Sequence, residues 1–208
     1  MPVSPPTSFT ELPGNHRRPG RFSLLHMEYG EYMLSDLSVV RFDVPESGSW
    51  VQAVRTAGRL KVCTRSLVFE PAAGSRGAPI VRWPLRAMPS PGPRPLELAR
   101  GSAEASGIDP CTLFCFRSRT AVDLESGGRV GPFVQHDFAA SNDAASGLPL
   151  FVFMLQHSSV EEFLQLACEL HRIDGTRTAF SGDARYQQLL RPILDERLLS
   201  ADAQVFEM

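Results

Sequence analysis

Cys111 and Cys115 stand four residues apart and, with His136 or His157, supply the donor types of a tetrahedral zinc site. No second Cys/His pair follows at zinc-finger spacing. The apolar run Cys111-Thr112-Leu113-Phe114-Cys115-Phe116 favours thiols buried in a strand instead. Cys63 and Cys168 read as core residues on the same grounds. His136-Asp137 with Ser141 or Ser158 holds the residue types of an acyl-transfer triad, but no Gly-x-Ser-x-Gly elbow presents either serine. The carboxylates are scattered, and no glycine-rich phosphate loop leads into a helix. The sequence therefore names no catalytic residue, no metal ligand and no cofactor, and the expected molecule is not an enzyme.

Charge is the more informative signal. Between Ser47 and Leu96 the basic residues are Arg55, Arg59, Lys61, Arg65, Arg76, Arg82, Arg86 and Arg94, and Glu70 is the one acid, in a chain whose net charge is −2. Arg59 and Lys61 share a face of one strand, and Arg65 follows in a turn. Such a group of cations suits a multiply charged anion. The competing reading is a solvated face in an arginine-biased chain, since Lys61 is the sole lysine.

These residues need strands to hold them. Gly58 opens a clear period-two pattern, Arg59-Leu60-Lys61-Val62-Cys63-Thr64, as a half-buried strand requires. Arg65-Ser66 reads as a turn, Leu67-Val68-Phe69 as a second strand, and Ile80 to Leu85 as a third, ended by Pro84. Cys111–Phe116, a weaker Val130–Phe138 and the apolar Leu148–His157 add strands. Phe22 to Leu34 reads as a strand or turn. Within Ser35–Ala57, Pro45 and Ser47-Gly48-Ser49 suggest a loop, with a short helix at Trp50, Val51 and Val54. Met88–Pro95, with four prolines, and Ala139–Gly147 read as turn and loop.

The period then changes to 3.6. Ser159 and Glu162 form a capping box, and Val160, Phe163, Leu164, Ala167 and Leu170 make one apolar stripe that ends near Gly175. A second helical pattern over 183–199 carries Tyr186, Leu189, Leu190, Ile193 and Leu194, and Pro192 should kink or split it. This order of elements fits a small antiparallel β-barrel plugged by an amphipathic helix.

At 208 residues and 43% hydrophobic content the chain suffices for one core with tails. Met1–Gly20 is Pro-rich and reads as a disordered leader without the apolar centre of a signal peptide. No stretch reaches the roughly 20 apolar residues of a membrane span. Four cysteines are too few for a disulfide scaffold, so free thiols in a reducing cytoplasm are expected. The near-neutral balance gives no reason to expect nucleic acid as a partner.

Several blocks, in order, resemble a known family. Arg21-Phe22-Ser23-Leu24-Leu25 with Glu31-Tyr32, Gly58-Arg59-Leu60-Lys61-Val62-Cys63 with Ser66-Leu67-Val68-Phe69-Glu70-Pro71, Pro79-Ile80-Val81 with Pro84-Leu85-Arg86, and Phe151-Val152-Phe153 with Val160-Glu161, Leu164-Gln165 and Leu170-His171-Arg172 are similar to the N-terminal region of FAN, the factor associated with neutral sphingomyelinase activation, a BEACH-domain family. The resemblance implies a mainly β fold with α: a PH-like barrel of the PH/GRAM superfold capped by a C-terminal amphipathic helix, plus a further helix. Residues 1–20 would be leader, 21–175 the PH-like domain and 176–208 a helical extension. It also implies a non-catalytic adaptor or scaffold in signalling or trafficking, cytoplasmic or at the membrane periphery. Its partners would be an anionic phospholipid such as a phosphoinositide, another protein, or a neighbouring GRAM or BEACH domain. The headgroup site would be Arg59, Lys61 and Arg65 with Arg55, Arg82 and Arg86, each adding about 1 kcal/mol near an anionic leaflet. The alternative is a protein-binding or intramolecular PH-like domain without lipid affinity. The stretch to Met208 contains no BEACH domain or WD repeats, so activities that need them are not implied.

Overall fold

A computed structural model of the chain describes residues 22, 26–44, 50–72, 78–96, 108–126, 129–138, 147–177 and 184–206. The expected leader lies outside them. Nine strands, β1 (Met33–Asp43), β2 (Val54–Cys63), β3 (Ser66–Pro71), β4 (Ile80–Pro84), β5 (Arg94–Pro95), β6 (Leu113–Arg117), β7 (Thr120–Ser126), β8 (Arg129–Asp137) and β9 (Leu150–Leu155), precede helices α1 (Val160–Asp174) and α2 (Ala184–Phe206). The strands form one antiparallel sheet in the order β5-β6-β9-β1-β2-β3-β4-β7-β8. This is the mainly β, PH-like arrangement with two C-terminal helices that the sequence indicates. The hydrogen-bonded ladder is open rather than closed into a barrel: β5 and β8 end it.

The main core lies between the sheet and both helices. Leu60 and Val62 of β2, Leu67 and Phe69 of β3, Trp83 of β4, Phe114 and Phe116 of β6 and Phe153 of β9 meet Phe163, Ala167 and Leu170 of α1. Rings do much of the filling: Phe114 lies 4.3 Å from Phe163 and stacks on Phe153 at 5.4 Å. Such pairs add about 0.5–1.5 kcal/mol each beyond burial. Ser159 caps α1, its hydroxyl accepting the Glu162 N–H at 3.3 Å. α2 runs unbroken through Pro192, against the kink or split expected. Pro192 is exposed, while Leu190 and Ile193 beside it are buried in the main core with Tyr186. Tertiary packing therefore holds the helix across the missing hydrogen bond, and Leu189 and Leu194 pack against the same core.

The opposite face of the sheet is also partly buried. Cys63, Val68, Ile80, Val122 and Leu124 pack there with Phe22. Val40, Phe42, Leu113, Cys115 and Val152 form a second patch with Trp50. This double burial changes the expected half-exposed β2: Leu60, Lys61, Val62 and Cys63 are all buried. Gly58, expected to open this strand, sits inside it opposite Pro71. A Cβ at Gly58 would lie 2.4 Å from the Glu70 carbonyl oxygen and 2.6 Å from Phe69 Cε2, so only glycine admits this approach. β1 and β7 lie where no strand was expected, and Cys111 is in a 3₁₀ turn, Pro110–Thr112, rather than in a strand.

Candidate binding surfaces

The cations collected by the sequence reading are divided by the fold. Arg59 and Lys61 do share a face of β2, and Asp36 of β1 stands between them. Asp36 Oδ1 is 3.1 Å from Arg59 Nε and 3.2 Å from Lys61 Nζ. Lys61 also pairs with Glu70 of β3 at 2.9 Å, and its ammonium lies 5.1 Å from the centre of the Phe22 ring. Its side chain is 6% exposed. Arg59 donates further to Ser38 Oγ and the Asp36 carbonyl. Arg65 donates to the Tyr29 carbonyl at 2.9 Å and stacks over Tyr186 of α2. Arg82 reaches the His26 carbonyl at 3.3 Å and Glu28 at 3.9 Å.

Four of the six residues thus hold one stretch of the same chain, 26–36, against the sheet. That stretch is folded for the purpose. Glu31 is buried; its carboxylate accepts the Ser66 hydroxyl at 2.6 Å and the Glu28 N–H at 2.8 Å, across a turn in which Gly30 takes φ +72°. Tyr32 N–H donates to Thr64 Oγ1, and Thr64 N–H returns to the Tyr32 carbonyl. Two of the acids that balance the basic run, Glu28 and Asp36, precede it in sequence, so a window from Ser47 to Leu96 omits them.

The other two basic residues lie apart from this group. Arg55 is at the far end of β2, its guanidinium 5.6 Å from the Phe42 ring. Arg86 follows β4 in a 3₁₀ turn, where its backbone N–H donates to Asp174 Oδ2 at 3.2 Å. Its side chain lines an open cleft of about 630 Å³ with His171, Arg172, Asp174 and Arg177 at the end of α1. Asp174 is buried, which pushes its pKa up against the opposing pull of Arg177, Arg86 and Arg65. His171 fastens the proline-rich turn to α1 through the Met88 carbonyl at 2.9 Å.

Among the described residues no three His, Cys, Asp or Glu side chains gather at metal-binding distance. Cys115 is buried while Cys111 is exposed in its turn. Burial pushes the thiols of Cys63, Cys115 and Cys168 up. Cys63 is in the core as expected. Cys168 is only partly buried, its sulfur 3.2 Å from the Pro93 carbonyl. His136 pairs with Asp123 at 2.9 Å on an exposed face of the β7–β8 hairpin. Ser141 is outside the described residues, and Ser158 is exposed near the start of α1. No described helix is long and apolar enough to cross a membrane.

Two exposed apolar surfaces went unmentioned in the sequence reading. Tyr29, Tyr32 and Met33 project around the turn at Gly30. Phe133 and Val134 of β8 are 51% and 47% exposed. Searches of curated proteins and of solved structures find no match. The family model of the FAN protein N-terminal PH domain matches residues 8–179, which span the sheet and α1. The chain belongs to the FAN N-terminal PH domain family.

Proposed function

We propose that this chain is a non-catalytic PH-like module that works by binding protein partners, as an adaptor or scaffold within a FAN-like signalling or trafficking assembly. One observation carries the reading: the Lys61 ammonium, at the centre of the expected headgroup site, is buried between Asp36 and Glu70. An anion arriving there would have to displace two carboxylates at contact distance. Arg59, Arg65 and Arg82 are likewise engaged with the 26–36 stretch. The exposed Tyr29, Tyr32, Met33 and Phe133 belong to the types enriched in protein interfaces.

Vesicle sedimentation tests the reading. Phosphatidylcholine vesicles with and without phosphatidylinositol 4,5-bisphosphate, at low and at moderate salt, should pellet the protein equally. Stronger pelleting with the anionic vesicles, abolished by Arg59→Glu or Arg86→Glu, would replace this reading with headgroup binding by the Arg55, Arg59, Lys61, Arg65, Arg82 and Arg86 set.

A further inference from the structure

Among the described residues β8 pairs with β7 on one side and with no strand on the other. The ladder fixes which of its backbone groups are left over. Phe138 N–H donates to the Arg119 carbonyl, and the register continues Thr120 with Asp137, Ala121 with His136, Val122 with Gln135 and Asp123 with Val134. Hydrogen-bonded and non-hydrogen-bonded pairs alternate along an antiparallel ladder. His136 and Val134 therefore turn their N–H and C=O toward β7. Asp137 and Gln135 turn theirs outward.

Edges of this kind are usually blunted by proline, lysine or a bulge. Here Pro132 and the register shift, which falls between Val130 and Val134, leave the run 134–137 regular and free of proline. Exposed apolar side chains, Phe133 and Val134, stand at its start. It also carries an acid with a fixed position: Asp137 accepts both Gln135 Nε2 contacts, at 2.9 and 3.0 Å, and the Thr120 hydroxyl at 3.2 Å.

We propose that β8 is a docking edge that accepts an extended segment of a partner protein as an added antiparallel strand, with a Lys or Arg opposite Asp137 and apolar residues three and four positions later, opposite Val134 and Phe133. Backbone groups of Gln135 and Asp137 supply the hydrogen bonds, and the flanking side chains supply the preference. A second copy of the chain is a poor occupant. Two-fold pairing about Gln135 sets Phe133 against Asp137, pairing about His136 sets two imidazoles face to face, and pairing about Val134 leaves three residues in register. The inference rests on the protein-binding reading and names its surface.

The test uses the ¹⁵N-labelled full chain and the peptide acetyl-Thr-Arg-Thr-Thr-Val-Phe-Thr-amide. Its controls replace Arg with Glu, or N-methylate the Arg, the central Thr and the Phe. The amides of Gln135 and Asp137 should shift with added peptide and exchange more slowly with solvent. The Glu peptide should bind roughly threefold more weakly or worse, and the N-methylated peptide should leave these amides unmoved. Gln135→Pro removes an edge N–H without touching the β7 ladder and should abolish the shifts. Where that variant does not fold, Asp137→Arg should reverse the preference between the Arg and Glu peptides. Unmoved edge amides at millimolar peptide, equal response to the N-methylated peptide, or a concentration-dependent dimer dissolved by Gln135→Pro would each overturn the proposal. Vesicle sedimentation reads a different surface, so the two ideas fail separately.

Discussion

Replacing Lys61 with methionine keeps the stem of the side chain and removes its charge. Nζ stands 2.9 Å from Glu70 and 3.2 Å from Asp36. With an effective dielectric of about 20, each contact is worth roughly 5–6 kcal/mol of Coulomb energy. Desolvation offsets much of that, and breaking a buried pair typically costs about 3–5 kcal/mol. Two features reduce the figure. The Glu70 and Asp36 side chains keep 15% and 35% of their exposure, so water can reach the abandoned carboxylates. Arg59 also remains on Asp36. A loss of about 2–3 kcal/mol results, or roughly 5–10 °C in melting temperature for a chain of this size. Adding Glu70→Gln to Lys61→Met should restore about half of it, because the second change removes the stranded charge. Urea denaturation of the two single variants and the double variant measures both effects. If Lys61→Met alters stability by less than about 0.5 kcal/mol, the ammonium behaves as a solvated surface charge. The argument that it is committed to holding the fold, and is unavailable to a headgroup, would then be refuted.

Ser159→Ala removes the hydroxyl that accepts the Glu162 N–H and should cost about 1 kcal/mol by denaturant titration; Ser159→Gly should cost only a few tenths. Asp174 has a folded pKa raised above its ordinary 3.8, so its favourable contribution is complete below that pH and is lost as pH rises through the folded value. Asp174→Asn abolishes this dependence, and the variant's stability relative to wild type should climb with pH from about 4 upward before levelling; a flat difference would contradict it. With a disulfide-exchange reagent on native protein, exposed Cys111 should react first and Cys63 and Cys115 only on unfolding, so rapid labelling at either buried position would show that the sheet opens.

The elements legible in the sequence are those whose periodicity is set by one buried face or by a local cap. α1 is of this kind, through Ser159, Glu162 and the apolar stripe. β9 and β6 were legible as apolar runs. β1 was not, because Val39 faces the main core while Val40 and Phe42 face a second cluster, which erases alternation. β7 does alternate, Val122 and Leu124 against Asp123 and Glu125, over a run of only four residues. Pro192 misled for a tertiary reason: propensity does not register that Leu190 and Ile193 are anchored on either side of it. β2 alternates as a half-exposed strand would, yet Asp36, Glu70 and Phe22 cover Lys61 at one of its polar positions.

The basic run shows why net charge in a sequence window is a weak guide to a binding site. Charge density along the chain reports which residues carry cations; pairing in space decides which of them face outward uncompensated. Glu28 and Asp36 lie within forty residues of the run, yet nothing in a one-dimensional count assigns them to it. Antiparallel pairing of β1 with β2 makes the assignment, setting Asp36 opposite Lys61 and beside Arg59. The converse holds at β8, where the informative groups are backbone N–H and C=O that every residue has. Their availability follows from strand order and register, so Phe133 to Asp137 became a candidate surface only once the ladder was known.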